Sequence, residues 1–220
     1  MIFKNRADAG RKLAALLRRY ADRGDVLVLA LPRGGVPVAY EVAKALHAPL
    51  DVFLVRKLGV PGQEELAMGA IASDGVRVVN EDLIDYLGIP DEVIDDIAAV
   101  EQRELERRTL AYREDRPPVD VKDRIVILVD DGLATGATMR AAAASLRSQT
   151  PRRIVVAVPV SSPETRGEFR GEVDEIACAF TPENFQGVGH WYEDFSQTSD
   201  EEVLELLKRM ANPSPAVYNC

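Results

Sequence analysis

Apolar residues follow two alternating rhythms along this chain. Short β-branched runs recur at Asp25–Ala30 (DVLVLA), Leu50–Val55 (LDVFLV), Ile125–Val129, Arg153–Val160 and Glu175–Phe180. Runs of that kind read as strands buried on both faces. Between them, apolar positions fall at helical spacing over residues 8–23 (Leu13, Leu16, Leu17, Tyr20), Val36–Leu46 and Ala137–Gln149. Met68–Ala72 and Val76–Val79 read as short strands joined by a Ser-Asp-Gly turn. RKLGVPGQEE, between Leu50–Val55 and these, reads as a loop. Strands alternating with helices predict an α/β fold: a mainly parallel sheet flanked by helices, with right-handed crossovers.

Two segments depart from this rhythm. Residues 81–116 are charged and helix-prone, with Ile94, Ile97, Ala98, Leu105 and Tyr112 on one face. They read as a mostly solvated helical insertion, and a covering helix without chemistry is the plain interpretation. RPPVDVKD then serves as a connector to Ile125. Residues 181–220 form a small C-terminal hood and a last helix. Ser199 to Glu202 open that helix as a capping box, with Val203, Leu207 and Met210 facing inward. At 220 residues the expectation is one domain.

In parallel sheets, ligands sit beyond the carboxyl ends of the strands. PRGG follows the first strand, RKLGVPG the second and DDGLATGAT the third. The third loop is the most informative. Its glycines, Gly132 and Gly136, let backbone approach a ligand, and it opens a helix whose amino end attracts anions. Gly132, Leu133, Ala134, Thr135, Gly136, Ala137 and Thr138 therefore form a candidate phosphate cradle, with hydroxyls from Thr135 and Thr138. Asp130 and Asp131 would repel a phosphate unless they serve another group. Carboxylates there can accept hydrogen bonds from sugar hydroxyls, or hold Mg²⁺ directly or through water. A phosphorylated sugar with a metal satisfies both halves of the loop. An ordinary strand–turn–helix with solvated acids is the alternative.

Charge and composition narrow the class. The net charge of −9 disfavours a nucleic-acid partner. No apolar run approaches the ~18 residues of a membrane span, so a cytoplasmic protein is expected. Cys178 and Cys220 lie too far apart to read as a zinc site or a disulfide framework. Cys178 reads as core, His47 as structural, and His190 stays open. Ser161-Ser162 lack a nucleophile-elbow motif.

VILVDDGLATGAT, Val126–Thr138, resembles the phosphoribosyl-pyrophosphate motif of type I phosphoribosyltransferases: four apolar residues, two acids, a short turn, then T-G-x-T. The order of elements from about residue 25 to 180 resembles that family's core. The resemblance implies that Asp130 and Asp131 contact the ribose hydroxyls and that Gly132–Thr138 binds the 5′-phosphate. It also implies Mg²⁺ and phosphoribosyl pyrophosphate (PRPP), with a small-molecule acceptor. Arg33, Gly34 and Gly35 occupy the place of the family's pyrophosphate loop, which often carries a non-proline cis peptide. Arg56 and Lys57 stand where relatives offer cations to pyrophosphate, and Gly59–Gly62 where they have a mobile lid. Asp130, Asp131 and Arg33 are thus the expected catalytic residues.

One position departs from the 6-oxopurine enzymes. Their third acid is replaced by Ala134, so the loop resembles adenine- and orotate-type members and argues against hypoxanthine or guanine. Phe185, Trp191 and Tyr192 lie where the family builds its hood over the base, and they either stack on the acceptor or pack the hood. The whole chain is similar to a poorly characterised bacterial phosphoribosyltransferase-like group, and the family's habit implies a homodimer. The expected activity is transfer of a phosphoribosyl group to a nitrogenous acceptor. A non-catalytic sensor of PRPP or a nucleotide, or a hydrolase of a phosphorylated sugar, would use the same cradle.

Overall fold

The computed structural model describes residues 2–73, 75–113 and 120–211. The chain runs α1 (Arg6–Leu16), β1 (Val26–Ala30), α2 (Gly35–Leu46), β2 (Leu50–Val52), β3 (Val55–Val60), β4 (Gln63–Ala72) and β5 (Arg77–Val79). It continues through α3 (Glu81–Leu87), α4 (Asp91–Arg113), β6 (Ile125–Val129), α5 (Ala137–Ser148), β7 (Arg153–Val160), α6 (Pro163–Glu168), β8 (Glu175–Phe180) and α7 (Asp200–Ala211).

The main sheet is parallel throughout, in the order β2-β1-β6-β7-β8. Its pleat sorts the core into two layers. Val26, Val28, Ala30, Ile125, Ile127 and Val129 pack on the side of α1, α2 and α7. Leu27, Leu29, Val126 and Leu128 pack with Met139, Ala142 and Leu146 of α5. Burial on both faces explains why the strands carry runs of β-branched residues and leucine instead of alternating with polar ones. From β1 the chain moves outward to β2, and from β6 it moves the other way to β8. The reversal falls between β1 and β6, where open α/β sheets form their ligand crevice.

The loop expected at RKLGVPGQEE is instead a hairpin. β3 and β4 pair antiparallel, turn at Pro61-Gly62, and are extended by β5 into a second, three-stranded sheet. Burial falls on Leu58 and Val60, and on Met68 and Ala70, alternate positions of each strand. That period of two is interrupted in the sequence by charges and by a register shift around Gly59. The run Leu50–Val55 divides accordingly: β2 ends at Val52, and Val55 starts β3. The first helix also stops early, at Leu16, with a 3₁₀ turn over Arg18–Tyr20.

The insertion is two helices. Gly88, with φ of 63°, closes α3, and Pro90 precedes α4. Ile94, Ala98, Leu105 and Tyr112 form the buried face, as the spacing predicts. Leu105 is fully buried. Leu105→Ala should therefore cost about 2–5 kcal/mol of stability in denaturant unfolding. A much smaller loss would mean that α4 is not anchored through this face. The first half of the connector RPPVDVKD lies outside the described residues, but Val121 is buried with residues of β6 and α5. The last helix starts where its capping box predicts, and the serine half of the box forms, with the Glu202 N–H donating to Ser199 Oγ at 3.2 Å.

Candidate functional site

The crevice is built by the first residues beyond β1 and β6. The Leu31 N–H donates to the Val129 carbonyl at 2.9 Å, which zips the two strand ends together. PRGG then crosses directly over the acids. A Cβ on Gly34 would lie 2.0 Å from Asp131 Oδ2, and one on Gly35 would lie 2.7 Å from the Val129 carbonyl oxygen. Only glycine permits this approach, so the two glycines serve packing of the loop on the acids as well as access for a ligand. The Pro32–Arg33 peptide is cis. The Gly35 N–H is already donated to the Leu31 carbonyl at 3.1 Å.

Asp130 and Asp131 are partly buried at the head of the crevice. The Asp131 N–H donates to Asp130 Oδ1 at 2.8 Å, and Arg6 Nε donates to Asp131 Oδ2 at 2.9 Å. Burial pushes both carboxyls above their usual range. The charge of Asp131 raises Asp130 further, while Arg6 opposes the rise at Asp131. The Arg6 guanidinium is itself fixed. It donates through Nη1 to the Ser196 carbonyl at 2.6 Å and lies 4.1 Å from the centre of the Phe195 ring. Asn5 caps α1 and so sets the direction of Arg6. Pattern reading missed Arg6, because nothing local distinguishes it from the other cations of the first helix.

The phosphate-cradle candidate sits on α5. Gly136, with φ of 74°, takes the N-cap position, and Phe169 packs beneath it. The amides of the first turn of α5 have no acceptors within the helix, which leaves them for an anion. Thr135 and Thr138 are exposed. The loop is braced from below. Arg140 Nη1 donates to the Thr135 carbonyl at 2.9 Å, and Thr165 Oγ1 donates to the Ala134 carbonyl at 2.6 Å. The Leu133 N–H donates to the Val160 carbonyl at 2.8 Å. Arg140 is a second residue that sequence reasoning missed.

The candidate cations come from the loop after β1 and from β3. Arg33 lies 3.8 Å from Asp200, at the start of α7, and Asp200 also accepts a hydrogen bond from the Tyr112 hydroxyl of α4. Burial and that bond push the Tyr112 phenol up to about 12. Arg56 and Lys57 are on β3, not in a loop. Arg56 Nε donates to Glu101 of α4 at 2.5 Å. A cavity of about 840 Å³ lies between β3 and α4; Pro32, Arg56, Lys57, Ile97, Arg108 and Thr138 are among its walls. The insertion thus borders the crevice, and its Arg108 is a third residue that the sequence reading did not assign to it.

The hood aromatics are packed. Trp191 meets Phe180 edge-on at 5.1 Å, and Tyr192 lies 5.5 Å from Phe3 and 5.0 Å from Phe195. Phe185 packs against the same cluster. The Tyr192 hydroxyl donates to the Asp131 carbonyl at 2.6 Å, which ties the hood to the acids. His47 ends α2 in a left-handed conformation and pairs with Asp22, and His190 is exposed. Burial pushes the Cys178 thiol up, which disfavours a thiolate nucleophile. Among the described residues, no group of three or more His, Cys, Asp or Glu is placed to hold a metal. No helix among them is long and apolar enough to cross a membrane.

Residues 1–193 match the model of the phosphoribosyl transferase domain. The chain belongs to that family. Two Mycobacterium tuberculosis proteins, each named "Putative phosphoribosyl transferase", are 47% identical to it over 208 residues. The alignment covers 94% of this chain and 47% of each relative, so the chain spans about half their length. The crystal structure of TT1426 from Thermus thermophilus is similar, with a TM-score of 0.87 and 42% identity, covering 94% of this chain and 98% of that one. The AQ2163 protein of Aquifex aeolicus, at 11% identity and a TM-score of 0.50, shares the fold; the match covers 84% of this chain and 78% of that one. Membership accounts for the parallel sheet and for its reversal between β1 and β6.

Proposed function

We propose that this chain transfers a 5-phosphoribosyl group from PRPP to a nitrogenous base or similar acceptor, releases pyrophosphate, and requires Mg²⁺. One observation carries the reading: two adjacent acids, an exposed threonine loop on a helix amino end, and Arg33 meet at the reversal between β1 and β6.

Each group has a role that its chemistry fits. The Thr135–Thr138 turn holds the 5′-phosphate through amides and hydroxyls. Asp130 and Asp131 accept from the ribose hydroxyls; Arg6 holds only one oxygen of Asp131. Arg33 binds the diphosphate, with Arg56 and Lys57 offered from the cavity that its neighbour Pro32 also lines. The C1′–oxygen bond to pyrophosphate breaks as the acceptor nitrogen attacks from the opposite face. Positive charge builds on the ring and is favoured by the two carboxylates. No covalent nucleophile is needed. The β3–β4 hairpin and α4 cover the diphosphate side and limit water, which would hydrolyse the sugar.

Two carboxylates suit Mg²⁺, which commonly takes one or two side-chain oxygens and fills its sphere with phosphate oxygens and water. Asp130 and Asp131 would hold it. When bound, the ion supplies charge neutralisation of the diphosphate.

Calorimetric titration with PRPP, with and without Mg²⁺, tests the pocket. Magnesium-dependent binding is expected, and no binding by folded protein would overturn it. Asp131→Asn and Arg33→Ala should each lower turnover by at least about tenfold, since each removes charge that acts on the transition state. The pairing of Asp131 with Arg6 favours a second reading, a PRPP or nucleotide sensor, because it offsets one of the acids. Pyrophosphate release that depends on an added acceptor separates transfer from the sensor and from a sugar-phosphate hydrolase.

A further inference from the structure

The opposite edge of the main sheet carries a second concentration of charge. Arg19 and Tyr20 of the 3₁₀ turn, Arg23, Ile125 at the start of β6, and Arg152 and Arg153 at the start of β7 enclose a cavity of about 440 Å³. This is the amino end of the strands, across the sheet from the crevice at their carboxyl ends. Four guanidiniums surround it, in a chain whose net charge is −9.

Two carboxylates are shared among the four. Arg23 grips Asp25 through two bonds, at 2.9 and 2.8 Å, and Arg152 reaches the same carboxylate at 3.3 Å. Arg19 pairs with Glu175, which also accepts from the Tyr20 hydroxyl at 2.6 Å, and Arg153 stands 3.9 Å from it. Asp174, paired with Arg147, is a further acid on this edge, and Arg153 acts on it through space. Arg19, Arg23 and the two acids thus form tight pairs. Arg152 and Arg153 do not, because charge-assisted bonds are usually about 2.7–2.9 Å. Their side chains are 66% and 48% exposed, so these two forks can turn into the cavity, and Arg19, 60% exposed, lines it while paired with Glu175. Four positive and two negative groups leave an excess of two positive charges around a space large enough for a small metabolite.

We infer that this cluster is a second anion site, which takes the oligophosphate chain of a small molecule. Several planar forks around one cavity suit adjacent phosphates, each of which accepts two parallel N–H bonds. A single carboxylate or phosphate would use only part of the set. The buried ring of Tyr20 and the side chain of Ile125 give the cavity an apolar floor. The same chemistry serves a nucleoside triphosphate or an inorganic oligophosphate, and the difference between them lies in whether the nucleoside adds affinity.

The test is calorimetric titration of the whole chain at low salt with inorganic tripolyphosphate, and in parallel with ATP. Wild type should bind tripolyphosphate, and the double variant Arg19→Ala/Arg152→Ala should bind it at least tenfold more weakly. Arg33→Ala, which alters the proposed transfer site on the other edge, should leave this binding in place. Tighter binding of ATP would identify a nucleotide, and equal binding the phosphate chain alone. Arg152→Gln guards against a folding artefact, because Arg152 is the most exposed of the set; it should weaken binding with an unchanged melting temperature. No binding by wild type, equal binding by the double variant, or binding lost only in Arg33→Ala would overturn the inference. Failure here leaves the PRPP reading untouched, since that reading is tested by PRPP and Asp131→Asn.

Discussion

Replacing Arg6 by alanine should weaken both the fold and the hold on PRPP. Arg6 and Asp131 side chains are 11% and 16% exposed, and their bond is 2.9 Å. Removing one partner of a mostly buried ion pair leaves a charge without compensation, at a cost of about 3–5 kcal/mol. Residual solvent contact and protonation of Asp131 place the expected loss at the lower end of that range. The sign with pH follows from the carboxyls. Asp130 and Asp131 have folded-state values raised above the ordinary carboxylate range, so their burial favours the neutral form. The stability linked to them is fully present below the unfolded value and is lost as pH rises through the folded one. Without Arg6 only a backbone hydrogen bond still opposes the rise at Asp131, so the variant's deficit should grow from acid toward neutral pH. Urea unfolding at several pH values checks this. A deficit that is the same at pH 4 and pH 7 would mean that Arg6 acts through its packing on Phe195 and not through charge. PRPP affinity should fall as well, because Arg6 also joins α1 to the hood at Ser196. Arg6→Lys should recover part of the stability but not the geometry, since an ammonium lacks the fork that reaches both Asp131 and Ser196.

The parts of this molecule that were legible in its sequence are those whose causes are local. Strand β6, its two acids and the turn into α5 form one contiguous run, so their chemistry could be read before their position. The same holds for the buried face of α4, where Ile94, Ala98, Leu105 and Tyr112 recur at helical spacing. Arg6 was not legible, because its partner stands 125 positions away and only the docking of α1 brings them together. Arg56 and Lys57 line the cavity next to Pro32, but they stand on a strand and not in the loop that their charge suggests. A charged strand is read as a loop when its apolar positions, here Leu58 and Val60, are few and its partner strand is not yet known. The hood shows the same limit in reverse. Aromatic composition announced a cluster, but it could not say that Phe3 would fill the space beside Tyr192. The acids' second supports, Tyr192 from the hood and Asn5 through Arg6, are properties of the assembled fold and not of any segment.

Gly34→Ala should be among the most damaging single-methyl changes in this protein. The added Cβ would stand 2.0 Å from Asp131 Oδ2 and 3.2 Å from Arg6 Nε, closer to the first than any real contact allows. The neighbour cannot simply retreat. Asp131 is held at its carboxylate by Arg6, at its amide by Asp130, and at its carbonyl by Tyr192. Either the Arg33–Gly34 backbone lifts off the acids or Asp131 leaves Arg6. In the first case Arg33 moves away from the proposed diphosphate site, and in the second the proposed ribose site loses an acceptor. Overpacking of this kind costs about 1–3 kcal/mol. If it falls on the bound state, PRPP affinity should drop by about 5- to 150-fold. Gly62→Ala is the matching control, because nothing lies within 4 Å of a Cβ there and only its φ of 75° resists the change. It should alter the hairpin turn and leave Asp131 and Arg6 in place. PRPP titration of both variants, with melting temperatures measured beside them, separates the two effects. If Gly34→Ala kept full affinity for PRPP, the contact between this loop and Asp131 would be irrelevant to binding, and the assignment of the crevice would have to be withdrawn.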